Sequence, residues 1–252
     1  MDIVTGREGA LFTIGFNRPA RRNAITAAMY DALSAAWREA EGDPAVRVVL
    51  VHGDAQAFTA GNDLEDFVRS PPAGDDTPVF RFLRTMSAAR KPIVAAVEGP
   101  AVGIGTTMLL HCDLVYAGEG ARFQLPFASL GLVPEFASSY LLPLVAGYHR
   151  AAELLLLAEP FDARKAYECG FLTAVVPAGE AMGAARKAAE RLAALPRKSV
   201  MLTKELLKAA HAAPVAERIA AESVRFREML GEPAAREALA AFLEKRKPDF
   251  NR

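Results

Sequence analysis

Very little in this chain points to a metal, a disulfide or a membrane. Cysteine occurs twice, at Cys112 and Cys169, and the four histidines stand singly. No Cys/His cluster has zinc spacing, and the two distant cysteines read as buried thiols of a reducing compartment. Net charge is also lacking: 30 basic residues balance 30 acidic ones. No overall field draws the protein to nucleic acid or to an anionic bilayer, so an anionic ligand requires a local site. The apolar runs break off well short of a membrane span. The start, MDIVTGREGALF, has no basic segment followed by an apolar one, and the end, PDFNR, is not a peroxisomal SKL-type address. A cytoplasmic protein without a membrane span or nucleic-acid partner is expected.

What is present is a large apolar fraction, 52% of 252 residues, enough for a sizeable core. Ile3–Thr5 and Leu11–Phe16 read as a strand pair turning at Arg7, Glu8 and Gly9. Thr26 reads as the N-cap of a helix through Glu41, whose Met29, Leu33, Trp37 and Ala40 follow helical spacing; Gly42 and Pro44 stop it. Val46–Val51, Ile93–Val97 and Leu114–Ala117 are nearly continuous apolar runs, the pattern of strands covered on both faces. Helices at Thr77–Ala89 and about Gly105–His111 lie between them. Such alternation predicts an α/β architecture with mainly parallel strands. From Phe136 onward the pattern is helical: Phe136–Leu144, Tyr148–Leu157, Asp162–Cys169, Glu180–Leu195, Lys198–His211, Pro214–Leu230 and Ala234–Lys245, with one short strand at Thr173–Val176. Pro71, Pro72, Asp75 and Asp76 mark a loop.

Three segments carry chemical promise. Ala57-Phe58-Thr59-Ala60-Gly61-Asn62-Asp63-Leu64 follows a strand, and its small residues let main-chain N–H groups approach a ligand. An ordinary turn capped by Asn62 or Asp63 also accounts for it. Gly99-Pro100-Ala101-Val102-Gly103-Ile104-Gly105-Thr106-Thr107 opens a helix whose unpaired N–H groups suit a phosphate or an oxyanion. Close helix–strand packing accounts for its glycines as well. A dinucleotide fingerprint lacks its third glycine there, and a P-loop lacks its GK[ST]. In Gly131-Leu132-Val133-Pro134-Glu135-Phe136, Glu135 stands among apolar residues at a helix start. It reads equally as a first-turn glutamate complementing the helix dipole and as a general base whose pKa is raised by an apolar pocket.

Together and in this order, the AGxD turn, the GPAVGxG turn and the PF-x-x-LG-x-x-PE stretch resemble the crotonase (enoyl-CoA hydratase/isomerase) superfamily. The likeness runs from Phe16-Asn17-Arg18-Pro19 to Phe242–Pro248. It implies a crotonase-like (ClpP/crotonase) α/β spiral of ββα units over residues 1–195. A helical trimerisation region at 196–252 would follow, in a homotrimer or a hexamer built as a dimer of trimers. The implied oxyanion hole for a thioester consists of the main-chain N–H groups of Asn62 and Ile104. Hydratases of the superfamily use two glutamates; the matching positions hold Thr107 and Phe127, which do not ionise. Gly61-Asn62-Asp63-Leu64 and Pro134-Glu135 with Ser138-Ser139-Tyr140 are instead similar to the peroxisomal-type Δ3,Δ2-enoyl-CoA isomerases, whose single catalytic carboxylate falls on Glu135.

The resemblance further implies an acyl-CoA thioester substrate, with coenzyme A entering as part of it and no metal or redox cofactor. Ala24, Ala60, Asp63 and Leu64 would lie along the CoA. Arg18, Arg21 and Arg22 could meet its phosphates, or form a solvated basic loop; Lys245, Arg246 and Lys247 could reach a neighbour's CoA, or solvate a helix end. Phe80, Phe82, Met86 and Phe136 could shape the acyl pocket or simply pack the core. Rival expectations are a hydratase or another crotonase-type activity, a non-catalytic acyl-CoA-binding protein, and a serine peptidase on a related spiral. The last lacks a G-x-S-x-G elbow and a histidine partner for Ser138 or Ser139.

Overall fold

The computed structural model describes residues 1–69, 71, 72, 74 and 76–250. Strands β1 (Ile3–Glu8) and β2 (Leu11–Phe16) form an antiparallel hairpin. Its turn falls at Gly9 and Ala10, with Gly9 at φ +58°, so Arg7 and Glu8 belong to β1 rather than to the turn. Helix α1 (Ala27–Gly42) starts where Thr26 Oγ1 accepts the Met29 N–H at 3.3 Å. Then come β3 (Val48–His52), α2 (Leu64–Arg69), α3 (Pro78–Ser87), β4 (Ile93–Val97), β5 (Pro100–Val102) and α4 (Ile104–Thr107). The chain goes on through β6 (Leu114–Gly118), β7 (Arg122–Gln124), α5 (Ser138–Ala146), α6 (Tyr148–Leu157), β8 (Phe161–Asp162), α7 (Ala163–Glu168) and β9 (Ala174–Val176). Helices α8 (Ala181–Ala194), α9 (Arg197–Ala209), α10 (Ala212–Leu230) and α11 (Pro233–Leu243) complete it. The expected loop around Pro71, Pro72, Asp75 and Asp76 falls between α2 and α3; Asp75 lies outside the described residues.

The large sheet has the order β1-β2-β3-β4-β6-β9 and is parallel from β2 on. The runs at β3, β4 and β6 are continuously apolar because both faces are covered. Val49 and Val51 of β3 point into the main core with Met29, Leu33 and Trp37 of α1. Val48 and Leu50 point the other way, onto Ala181, Ala185 and Ala189 of α8. Small alanines at a helical spacing let α8 lie close against the sheet.

A second sheet, β5-β7-β8, is built from strands of two or three residues. The chain passes from β4 into β5 and from β6 into β7, stepping twice from the large sheet into the small one. Isolated bridges Thr59–Ala101 and Ile25–Asn62 extend this layer toward the N-terminal half. These strands leave no signal in the sequence: three residues are too few to show a period, and Pro100–Val102 reads as part of a glycine turn. Two helix starts also shift. The helix expected from Gly105 begins at Ile104 and tightens to a 3-10 turn over Met108–His111. The helix expected from Phe136 begins at Ser138, because Phe136 and Ala137 adopt φ +60° and +56°.

Helices α10 and α11 return to the middle of the molecule. Helix α10 packs against α3 and α5, and α11 against α2 and α10. Among the described residues, no helix is long and apolar enough to cross a membrane.

Candidate active site

The two glycine turns lie side by side. Thr59 N–H donates to Pro100 O at 3.0 Å, and Val102 N–H donates back to Thr59 O at 3.0 Å. Gly61 has φ +85°, and a Cβ there would lie 2.6 Å from Val102 O. A Cβ on Gly105 would meet Thr59 Cγ2 at 2.6 Å. Glycine is therefore required at Gly61 by close backbone approach, and at Gly105 the buried Thr59 side chain leaves little room for a Cβ.

This packing leaves two amides over. Among the turn and loop hydrogen bonds of the described residues, neither Asn62 N–H nor Ile104 N–H is a donor. Ile104 is the first residue of α4, where a helix has no internal acceptor to offer. Both residues line a cavity of about 440 Å³ that also takes in Ala24, Ala60, Asp63, Leu64, Arg21, Phe127 and Leu132. The structure thus brings together the candidate donors and the four residues expected along the CoA. A separate pocket of about 450 Å³ at Arg122, Glu153 and Lys165 shares no lining residue with this one.

The polar side chains of the first turn hold it in shape. Asp63 is buried, and its carboxylate accepts from Arg18 Nη1 at 2.7 Å and from Asp66 N–H at 3.1 Å. The Arg18 guanidinium also donates to Ala24 O at 2.9 Å. Arg18 therefore pins the turn from behind. Arg21 pairs with Glu65 at the cavity edge. At the other end of the chain, Arg246 pairs with Glu237 and Glu244. Tyr30 Oη–H donates to Asn62 Oδ1 at 2.5 Å. Burial and the nearby Glu135 charge hold this phenol protonated, its pKa well above the usual value.

Glu135 is 5% exposed. It is not among the described residues that line the cavity; its link to that region is Thr107, three residues after the lining residue Ile104. Burial is the main cause that pushes its carboxyl up from 4.5 to about 8. The Thr107 hydroxyl donates to Oε1 at 2.6 Å and opposes the rise; the negative charge of Glu222 adds to it. Thr107 and Phe127 thus occupy the neighbourhood without supplying a second acid. Of the residues considered for an acyl pocket, Phe82 contacts the rings of Tyr30 and Phe136, at centroid distances of 5.5 and 6.0 Å.

Three residues near this site escape a reading by sequence. Tyr30 lies on the buried stripe of α1. His111 donates from Nε2 to Phe136 O at 2.8 Å, its ring stacked on Phe136 at 3.9 Å. Glu222 sits on α10 between buried Ile219 and Phe226. A charge at a core position of an amphipathic helix was the available signal for it.

Two layered sheets, adjacent glycine turns with two amides left over and the buried Glu135 describe a crotonase-class α/β enzyme. Residues 6–252 match the enoyl-CoA hydratase/isomerase family model, and the chain belongs to that family. It is 34% identical over 256 residues to the 1,2-epoxyphenylacetyl-CoA isomerase of Escherichia coli, covering 98% of this chain and 97% of that one. It is 37% identical over 212 residues to the rat enoyl-CoA delta isomerase 2, covering 82% of this chain but spanning 54% of that longer protein. Similar proteins named as hydratases stand beside these. Among solved structures, Pseudomonas aeruginosa OdaA superposes with a TM-score of 0.94 at 44% identity, covering 96% of this chain and 98% of that one. The crotonase fold is thereby established, with its helical C-terminal region.

Proposed function

We propose that this enzyme is an enoyl-CoA delta isomerase that moves a C3–C4 double bond of an enoyl-CoA into conjugation at C2–C3. One observation carries the reading. Glu135 is the buried acid hydrogen-bonded to Thr107, a residue of the same short helix α4 that Ile104 opens, and Thr107 and Phe127 fill the positions that match the two acids of a hydratase. Syn addition of water requires groups that hold and deprotonate that water. A 1,3-proton shift requires a single group that acts as base and then as acid.

In this mechanism the thioester oxygen accepts the N–H groups of Asn62 and Ile104. Ionised Glu135 takes a proton from C2, and the electron pair moves into the thioester as a dienolate. The two amides hold that charge; one such donor is worth about 3 kcal/mol in the transition state. Glu135, now neutral, gives the proton to C4. The double bond moves to C2–C3, and Glu135 is ionised again. Apolar surroundings limit exchange of the transferred proton with solvent. Glu135 is not among the described residues lining the cavity, so in this mechanism the acyl chain has to displace side chains of the cavity wall to reach it. Ala24, Ala60, Asp63 and Leu64 lie along the CoA in the same reading. The enzyme works as a homotrimer or a dimer of trimers; the exposed Leu206 and Leu207 of α9 support an apolar contact between subunits.

The test is a pair of absorbance assays on the purified protein, following conjugation of trans-3-hexenoyl-CoA and hydration of crotonyl-CoA. Rapid isomerisation that Glu135→Gln abolishes, with negligible hydration, supports the reading. Strong hydration, or a Glu135→Gln enzyme as fast as wild type, overturns it.

A further inference from the structure

The turn that presents Glu135 is an awkward one. Phe136 and Ala137 both lie in the left-handed region, and neither is a glycine. Side chains disfavour that region, so neighbouring groups must hold the turn there. Below it, the His111 ring donates to Phe136 O at 2.8 Å. Above it, Glu222 reaches in from α10. Its Oε2 accepts Ala137 N–H at 2.6 Å, and its Oε1 accepts Ser139 N–H at 3.0 Å and Ser139 Oγ–H at 2.5 Å. Glu222 is 6% exposed and shares the buried face of α10 with Ile219, Ser223 and Phe226. A carboxylate is a poor choice for packing alone. It suits this place because the first amides of α5 have no helical acceptor.

We propose that Glu222 is a positioning residue for Glu135: its three hydrogen bonds to Ala137 and Ser139 lock the left-handed turn that directs the Glu135 carboxyl to Thr107. The inference rests on Glu135 being the base of the proposed isomerisation. It assigns the C-terminal helical region a part in the chemistry.

Both carboxyl groups are buried, and burial is the main cause that raises Glu222 to about 7. The charges that face it are Arg218, on its own helix, and Glu135 across the turn. Glu135 in turn faces Glu222, the Thr107 hydroxyl of α4 and the Tyr30 phenol of α1. His111 is held neutral, its pKa near 3, mainly by burial. Taking away the Glu222 charge therefore lowers the pKa of Glu135. Electrostatics alone would shift the rate limb to lower pH and leave the plateau unchanged. A loss of positioning lowers the plateau.

The experiment uses full-length wild type, Glu222→Gln and Glu222→Ala. The Gln variant keeps the shape and one acceptor oxygen. Two readouts are taken: the pH profile of kcat and KM with trans-3-hexenoyl-CoA, and the 13C NMR titration of Glu135 in glutamate-labelled protein, assigned with Glu135→Gln. The expected plateau loss is of order tenfold to a hundredfold for Glu222→Ala. It is smaller for Glu222→Gln, with KM held within about threefold in both, and the Glu135 midpoint moves to lower pH. If wild type isomerises, the plateau decides: a folded Glu222→Ala enzyme within about twofold of wild type overturns the inference. If wild type does not isomerise, the proposed function fails and a crystal structure of Glu222→Ala decides: Phe136 and Ala137 still at positive φ with the Thr107–Glu135 hydrogen bond kept overturns the inference, and a relaxed turn with that bond lost upholds it.

Discussion

Replacing Glu135 with glutamine should stabilise the fold at alkaline pH while abolishing turnover. In the native protein the carboxyl titrates at about 8, against 4.5 for an unhindered glutamate. Below pH 4.5 the group is protonated in both folded and unfolded chains, and it contributes no pH dependence. Between 4.5 and 8 the unfolded chain has released a proton that the native site still holds. Stability therefore falls as pH rises, by about 1.4 kcal/mol per unit. The deficit is about 3 kcal/mol at pH 7 and levels off at about 5 kcal/mol above pH 8. Glutamine mimics the protonated acid: it offers an oxygen to the Thr107 hydroxyl and donors where the acid has its O–H. It does not ionise, so the deficit disappears. Glu222 is present in both proteins and cancels to first order in the comparison. The assay is urea denaturation at pH 5, 7 and 9, at one protein concentration because association would shift the midpoints. The two proteins should be nearly equal at pH 5 and diverge progressively above it. At about 2–4 °C per kcal/mol, the variant should melt roughly 6–12 °C higher at pH 7. Stability curves that stay parallel from pH 5 to 9 would refute the buried-acid argument.

Other consequences are open to measurement. Thr107→Val removes the 2.6 Å hydrogen bond that favours the ionised acid; the alkaline-rising limb of kcat/KM should move to higher pH, and activity at pH 7 should fall about tenfold. An unmoved limb would separate Thr107 from the base. Asn62→Ala leaves the main-chain donor in place, so kcat should stay within about tenfold of wild type, as steady-state kinetics would show. Gly61→Ala sets a Cβ 2.6 Å from Val102 O at a φ of +85°. It should lower the melting temperature and abolish turnover by separating the two turns, which circular dichroism and the isomerisation assay would report together.

Much of this architecture was legible in the sequence, for reasons that differ by element. The β3, β4 and β6 runs announced buried parallel strands because α1 and α8 cover opposite faces of the sheet. Thr26 marked a helix start because its side chain does the capping. The glycine turns were legible because close backbone approach tolerates no Cβ at Gly99 and Gly61. The small sheet was not legible, since its pairing is long-range and its strands are two or three residues long. Nor was the turn after Glu135. Phe136 and Ala137 carry no local preference for positive φ, and what holds them there comes from His111 and Glu222, distant in sequence. Local evidence left Glu135 balanced between a dipole-complementing residue and a base. Its burial is visible only in the folded chain.

The 85-residue separation between Ala137 and its acceptor Glu222 bears on how the enzyme comes into being. During synthesis the sheets, both glycine turns and Glu135 emerge from the ribosome before α10 does. A nascent chain halted ahead of Glu222 still has His111 against the turn, but it lacks the acceptor for Ala137 and Ser139 and the cavity-lining Phe226 and Phe242. If Glu222 positions Glu135 as proposed, competence is a closing step of biosynthesis, reached only once α10 has packed against α5.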